Sequence, residues 1–195
     1  MKKDDQLENH VIICGFGRHG QQVVKELSAY KQPFVVIEQR EDRVQLLNDR
    51  KLLYINGDAT RDEILLQAGI ERAQALLVTI PDAASNVYVV LSARQLSPSL
   101  QIISRAVNDQ SERKLKRAGA EHVIMPERIG GFYMATLVSN PNVVDFLNIL
   151  SNMGDTTIHF EEISCQDLRA EFLQKRIMDL NIRAISGANI IGIGL

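Results

Sequence analysis

Only two cysteines, Cys14 and Cys165, occur in the 195 residues, far apart and without the paired spacing of a metal knuckle. That scarcity excludes a disulfide framework and a zinc site, and the expected setting is a reducing cytoplasm. An excess of charge is missing too. With a net charge of −2 and its Lys and Arg scattered among acids, the chain has no basic stripe for nucleic acid. No apolar run approaches the roughly 20 residues that span a bilayer. The start, Met-Lys-Lys-Asp-Asp-Gln, lacks the apolar centre of a signal peptide. G-x-S-x-G, a Walker lysine motif, H-E-x-x-H and C-x-x-C are all absent. What is present is 45% hydrophobic content, enough for one good core and a small extra lobe.

The stretch His10-Val-Ile-Ile-Cys-Gly-Phe-Gly-Arg-His-Gly-Gln-Gln-Val-Val-Lys-Glu-Leu27 runs from an apolar strand through a glycine turn into an amphipathic helix. It is the dinucleotide fingerprint G-x-G-x-x-G in the strand-to-helix context its chemistry requires. Gly15 permits the tight turn, Gly17 lets the backbone approach a pyrophosphate, and Gly20 lets the helix pack close to the strand. The free amides at the helix start face the anion. Phe16, Arg18 and His19 complete the loop and join the glycines as cofactor-binding candidates. Glu38 closes the second apolar run, 18 residues past the last glycine. A carboxylate there can accept both ribose hydroxyls of an adenosine and would repel a 2′-phosphate. Glu38 and its neighbour Gln39 extend the candidate seat. NAD(H) or an adenine mononucleotide is expected, and NADP is not.

Strands are predicted at Val11–Cys14, Phe34–Ile37, Leu53–Asn56, Ala75–Thr79, Ile102–Arg105 and His122–Met125, separated by helical patterns. Such alternation implies an α/β fold, a Rossmann-like, doubly wound parallel sheet. Thr60-x-x-Glu63 and Asp109-x-x-Glu112 read as capping boxes, and Asp82 after Pro81 as a helix start. Gly69 and Gly119 sit where helices end in a left-handed residue. Cys14, closing a buried strand, reads as a small core hydrophobe in preference to a redox group.

The pattern changes near Ser139. Residues 1–8 form a tail, 9–138 the Rossmann-like lobe, 139–153 a hinge or crossover helix, and 154–195 a small α+β lobe that looks truncated. Asn140-Pro141 starts the hinge, whose Val143, Val144, Phe146, Leu147, Ile149 and Leu150 cover more than one helical face. Either a second subunit or the C-terminal lobe must cover it. That lobe, with strands predicted at 157–163 and 188–193 around a charged stretch, is too small to hold its own core. Another chain completes it, or a longer protein continues it.

Ligands of open parallel sheets bind at the strands' carboxyl ends. There lie Asp58 and Ala59 in Gly57-Asp58-Ala59-Thr60, Thr79, and Arg105. The Asp58 carboxylate reads equally as an acceptor for an adenine amino group or as a turn acid. Arg18 and Arg105 suit a pyrophosphate or a polyphosphate tail, with surface ion pairing the competing use. A dehydrogenase needs an acid or base beside the nicotinamide, and none is evident.

With these motifs the chain resembles RCK domains, also called KTN or TrkA-N. These are cytoplasmic nucleotide-binding regulators of potassium channels and of Trk/Ktr potassium uptake systems. The resemblance rests on Val-Ile-Ile-Cys-Gly-Phe-Gly-Arg-His-Gly, Glu38, Gly-Asp-Ala-Thr at 57–60 and Ile-Ile-Ser-Arg-Ala at 102–106. Leu-Lys-Arg-Ala-Gly-Ala-Glu-His-Val-Ile-Met-Pro-Glu at 115–127 and Asn-Pro-Asn-Val-Val-Asp-Phe-Leu at 140–147 add to it. The tail resembles the opening of an RCK-C (TrkA-C) lobe.

The resemblance implies that the glycines, Arg18, Glu38, Asp58, Ala59, Thr79 and Arg105 contact the nucleotide. Glu127 matches a dimer-interface carboxylate that binds a divalent cation in some members, a helix-capping role being the alternative. The acids of calcium-gated members fall at Thr79, Ser104 and Ala106, none acidic here. Implied partners are a second copy through the hinge helix, an eight-domain ring, and a potassium-conducting membrane protein whose inner face the domain would regulate. Rival readings are the regulatory domain of a Kef-type potassium efflux antiporter and a small NAD-dependent oxidoreductase.

Overall fold

The computed structural model describes residues 7–139 together with Arg176 and Asp179. The chain forms two compact units, Met1–Ser139 and Asn140–Leu195. The hinge and lobe expected from residue 140 onward lie outside the described residues, apart from Arg176 and Asp179.

Six strands, β1 (Val11–Cys14), β2 (Phe34–Glu38), β3 (Tyr54–Asn56), β4 (Ala75–Val78), β5 (Gln101–Arg105) and β6 (His122–Ile124), form one sheet in the order β3-β2-β1-β4-β5-β6. Every pairing is parallel. Between and after the strands run α1 (Arg18–Ala29), α2 (Glu41–Asp49), α3 (Asp62–Gln67), α4 (Ala83–Leu96), α5 (Asp109–Ala118) and α6 (Pro126–Ser139). The doubly wound sheet expected from the alternation is present.

Side chains on a strand alternate between faces, and β1 shows the consequence. Val11 and Ile13 join a core with Val24 of α1 and Leu47 of α2. Ile12 and Cys14 join the larger core with Leu65, Val89, Val90, Ala93 and Leu115 from α3, α4 and α5. All of β1 is buried, and each fully covered Ile or Leu contributes about 1.5–3 kcal/mol. Cys14 belongs to this packing, and burial pushes its thiol well above its ordinary pKa.

Helix ends agree with the sequence at three points and differ at two. The Asp82 carboxylate accepts from the Ser85 amide at 2.7 Å and caps α4. Gly69 and Gly119 take φ of +76° and +108°, as left-handed helix stops should. The Asp109/Glu112 box is displaced by one residue. Asn108 caps α5, accepting from the Ser111 amide at 2.9 Å, while the Ser111 hydroxyl accepts from the Asn108 amide at 3.1 Å. The Thr60/Glu63 box does not form, because the Thr60 amide and hydroxyl both donate to Asp58 Oδ1, each at 2.9 Å. Thr79 and Met125, expected inside strands, lie just past them. Helix α6 was not predicted. It buries none of its residues and exposes Ile129, Phe132, Met134, Leu137 and Val138.

Candidate functional site

Strand order reverses between β1 and β4, which opens a crevice at their carboxyl ends. Gly15 leaves β1 with φ of +96°, a conformation that favours glycine. A Cβ on Gly20 would lie 2.1 Å from the Gly15 carbonyl oxygen, so α1 approaches the loop as closely as a backbone allows. The Gln21 amide donates to the Gly17 carbonyl at 2.9 Å, leaving the amides of Arg18, His19 and Gly20 ahead of this bond. It is at this first turn that the fingerprint predicts an anion seat.

Glu38 is 5% exposed, and its carboxylate is surrounded by donors. Oε2 accepts from the Phe16 amide at 2.7 Å and from Arg43 Nη1 at 3.4 Å. Oε1 accepts from the Gln39 and Arg40 amides at 2.9 and 3.0 Å. The acid therefore pins the glycine loop to the end of β2, and Arg43 is its only side-chain donor among the described residues. The Arg43 guanidinium also lies beside Gly17, where an added Cβ would come within 3.4 Å of Nη1. The Phe16 ring is buried in the core and its amide belongs to Glu38.

On the other side of the switch, the Thr79 hydroxyl lies 3.0 Å from the carbonyls of both Cys14 and Gly15 and donates there, fixing β4 to the turn. Asn86 of α4 is fully buried and donates from Nδ2 to the Ile80 carbonyl at 2.9 Å and the Arg105 carbonyl at 3.1 Å. It ties together the ends of β4 and β5. Asp58 forms the Thr60 turn already described, and Ala59 packs into the core.

Arg105 ends β5 with its side chain 15% exposed and donates from Nη2 to Glu127 Oε1 at 2.7 Å. Its Nε is buried without a partner among the described residues. Glu127 stands in the first turn of α6, where its own backbone amide, and then Arg105, hold its carboxyl below the usual carboxylate range. His19 reports the same neighbourhood. Burial lowers its pKa most, Arg105 and Arg18 add to the effect, and Glu127 opposes it. The structure thus puts Arg105 and Glu127 in contact, with His19 close enough to be influenced by both and by Arg18. Among the described residues, no group of three or more His, Cys, Asp or Glu could hold a metal ion.

Sequence reasoning missed Arg43 and Asn86. Asn86 had a legible signal, since it shares a helical face with the buried Val89, Val90 and Ala93. Arg43 had none, because its role depends on the loop that Glu38 pins.

The chemistry of these residues suits an anionic group: amides at a helix start, an exposed Arg18, and a buried guanidinium Nε with no acceptor among the described residues. The TrkA-N domain model matches residues 11–126. A probable potassium channel protein 2 of Methanocaldococcus jannaschii is 37% identical over 96% of this chain, which spans 56% of that protein's length. The crystallised TrkA-N domain of the inner membrane protein YbaL from Escherichia coli has a TM-score of 0.65 and 35% identity, covering 68% of this chain and 98% of that one. A structure of GsuK bound to ADP has a TM-score of 0.59 and 32% identity, over 69% of this chain and 35% of that one. A fingerprint loop pinned by its acid, the sheet order, and a domain-length match together establish that this chain belongs to the TrkA-N (RCK N-terminal) domain family.

Proposed function

We propose that this chain is a regulatory domain that binds NAD(H) or AMP, ADP or ATP at the switch point and thereby gates potassium transport. Arg105 carries the reading: a mostly buried guanidinium at the crevice, its Nε without an acceptor among the described residues, opposite a helix start suited to anions. Gly15, Gly17 and Gly20 shape the loop, and the amides of the first turn of α1, with Arg18, would take the phosphates. Glu38 would meet the ribose, with Gln39, Asp58 and Ala59 along the adenosine side and Thr79 at the floor. The carboxylates of Glu38 and Asp58 and the Thr79 hydroxyl are already committed to backbone partners, which withdraws them from hydride chemistry. The site holds a nucleotide and does not turn it over.

Paired domains linked through the hinge, opposite a potassium-conducting membrane partner, would convert binding into gating. Coupling of this kind needs only ~1–3 kcal/mol of differential affinity between two arrangements. Among the described residues no helix is long and apolar enough to cross a membrane, so the pore belongs to another segment or another chain. A potassium channel is preferred over an efflux antiporter because the channel relative matches 96% of this chain, whereas the antiporter YbaL matches 68%. Mass spectrometry of the natively purified protein should find a stoichiometric adenine nucleotide, and bound NADH should reduce no carbonyl substrate. Turnover above background would favour the oxidoreductase.

A further inference from the structure

We propose that the Arg105–Glu127 ion pair is an internal latch: Glu127 occupies the guanidinium that a nucleotide's terminal phosphates need, and a bound polyphosphate displaces it, releasing the first turn of α6. The inference rests on the nucleotide reading above and assigns that site its transmission step.

Three observations carry it. Arg105 is only partly satisfied: Nη2 donates to Glu127 at 2.7 Å, while Nε is buried without an acceptor among the described residues. A single carboxylate oxygen meets one edge of the fork, whereas a phosphate presents oxygens to two donors at once. The two partners also differ in freedom. The Arg105 side chain is 15% exposed and that of Glu127 is 60% exposed, so Glu127 can swing into water when an anion arrives and Arg105 cannot. Finally, the pair lies at the same carboxyl edge of the sheet as the anion seat, since Arg105 ends β5, β5 neighbours β4, and Thr79 just past β4 donates to the Gly15 carbonyl of the loop; the influence of both charges on His19 agrees with this. An anion drawn to the α1 amides therefore arrives beside a guanidinium one edge of which Glu127 occupies.

The consequence falls on α6. Glu127 and Arg128 both make ion pairs from its first turn, and the second, Arg128 to Asp109, is longer at 3.6 Å and exposed at both ends. Displacing Glu127 removes the shorter tie of a helix whose Ile129, Phe132, Met134, Leu137 and Val138 are exposed. Nucleotide occupancy thus becomes a change in how an apolar helix is held.

The test is calorimetry on the full chain with AMP, ADP and ATP, in chelator, for wild type, Glu127→Gln, Arg105→Gln and the double variant. Glu127→Gln should tighten ADP and ATP by about tenfold, the scale of one charge-assisted contact, and AMP by much less. In the Arg105→Gln background the same replacement should change nothing, because no guanidinium remains to be freed. Simple repulsion between Glu127 and phosphate would persist in that background and would overturn the latch. So would unchanged or weaker ADP binding by Glu127→Gln. Hydrogen exchange gives a second readout. ADP should speed exchange across 126–139 in wild type, and Glu127→Gln should start from the faster rate; exchange that ADP leaves unaltered contradicts the latch. A wild type that binds none of the three nucleotides overturns the nucleotide reading itself, a result distinct from binding without coupling.

Discussion

The Phe16 amide donates to the Glu38 carboxylate across 2.7 Å, joining the glycine loop to the end of β2. The residue that sequence patterns assign to ribose recognition is therefore also a structural clamp. Glu38→Gln should destabilise the domain by about 1–3 kcal/mol, since a carboxamide turns an NH2 group toward backbone N–H donors. Urea unfolding should show that loss without any nucleotide. Unchanged stability would mean the loop holds itself.

Gly20 tolerates no side chain. Alanine there places Cβ 2.1 Å from the Gly15 carbonyl oxygen, a backbone atom that can move only with β1 or α1. The expected cost is about 3 kcal/mol or more, at the upper end for overpacking. Thermal unfolding of Gly20→Ala checks this, and a variant as stable as wild type would show that α1 can slide.

Asn86→Ala removes both buried donors that join the ends of β4 and β5. Two carbonyls lose a partner, for a loss of about 2–4 kcal/mol. Because one of them belongs to Arg105, ADP affinity should fall with stability, which calorimetry on the surviving folded fraction would read. Loss of stability with full affinity would separate Asn86 from the site.

Acid should weaken the fold through His10. It is fully buried, and its Nε2 donates to the Ala68 carbonyl at 2.8 Å. Burial, its largest influence, holds its pKa below the ordinary 6.5, with Arg72 adding to this and the Ala68 bond opposing it. As pH falls through 6.5, the unfolded chain takes up a proton that the folded chain resists. This stability is fully present above 6.5 and declines below it. Urea midpoints between pH 7.5 and 5.5 should fall in wild type and fall less in His10→Gln. Equal slopes would exonerate His10.

The sheet was legible because β1, β2 and β4 are buried on both faces and so appear as unbroken apolar runs. Caps were legible only to within a residue. At Asn108-Asp109 two adjacent residues could cap, and the Ser111 hydroxyl, returning a bond to Asn108, decides between them. At Asp58-Ala59-Thr60 the turn captured the threonine that the pattern offered to α3. Helix α6 escaped detection because its apolar residues contact no core, so no period marks an inner face. The same limit applies to the site. The glycines and Glu38 announce themselves by spacing, whereas Arg43 and the Arg105–Glu127 pair exist only through tertiary approach.

Calorimetric titration of ADP into the full chain tests the central claim most directly. One saturable site per chain, weakened at least about tenfold by Arg105→Gln, a loss of about 1.4 kcal/mol, is the predicted result. An absence of binding, or equal affinity in the two proteins, would contradict it.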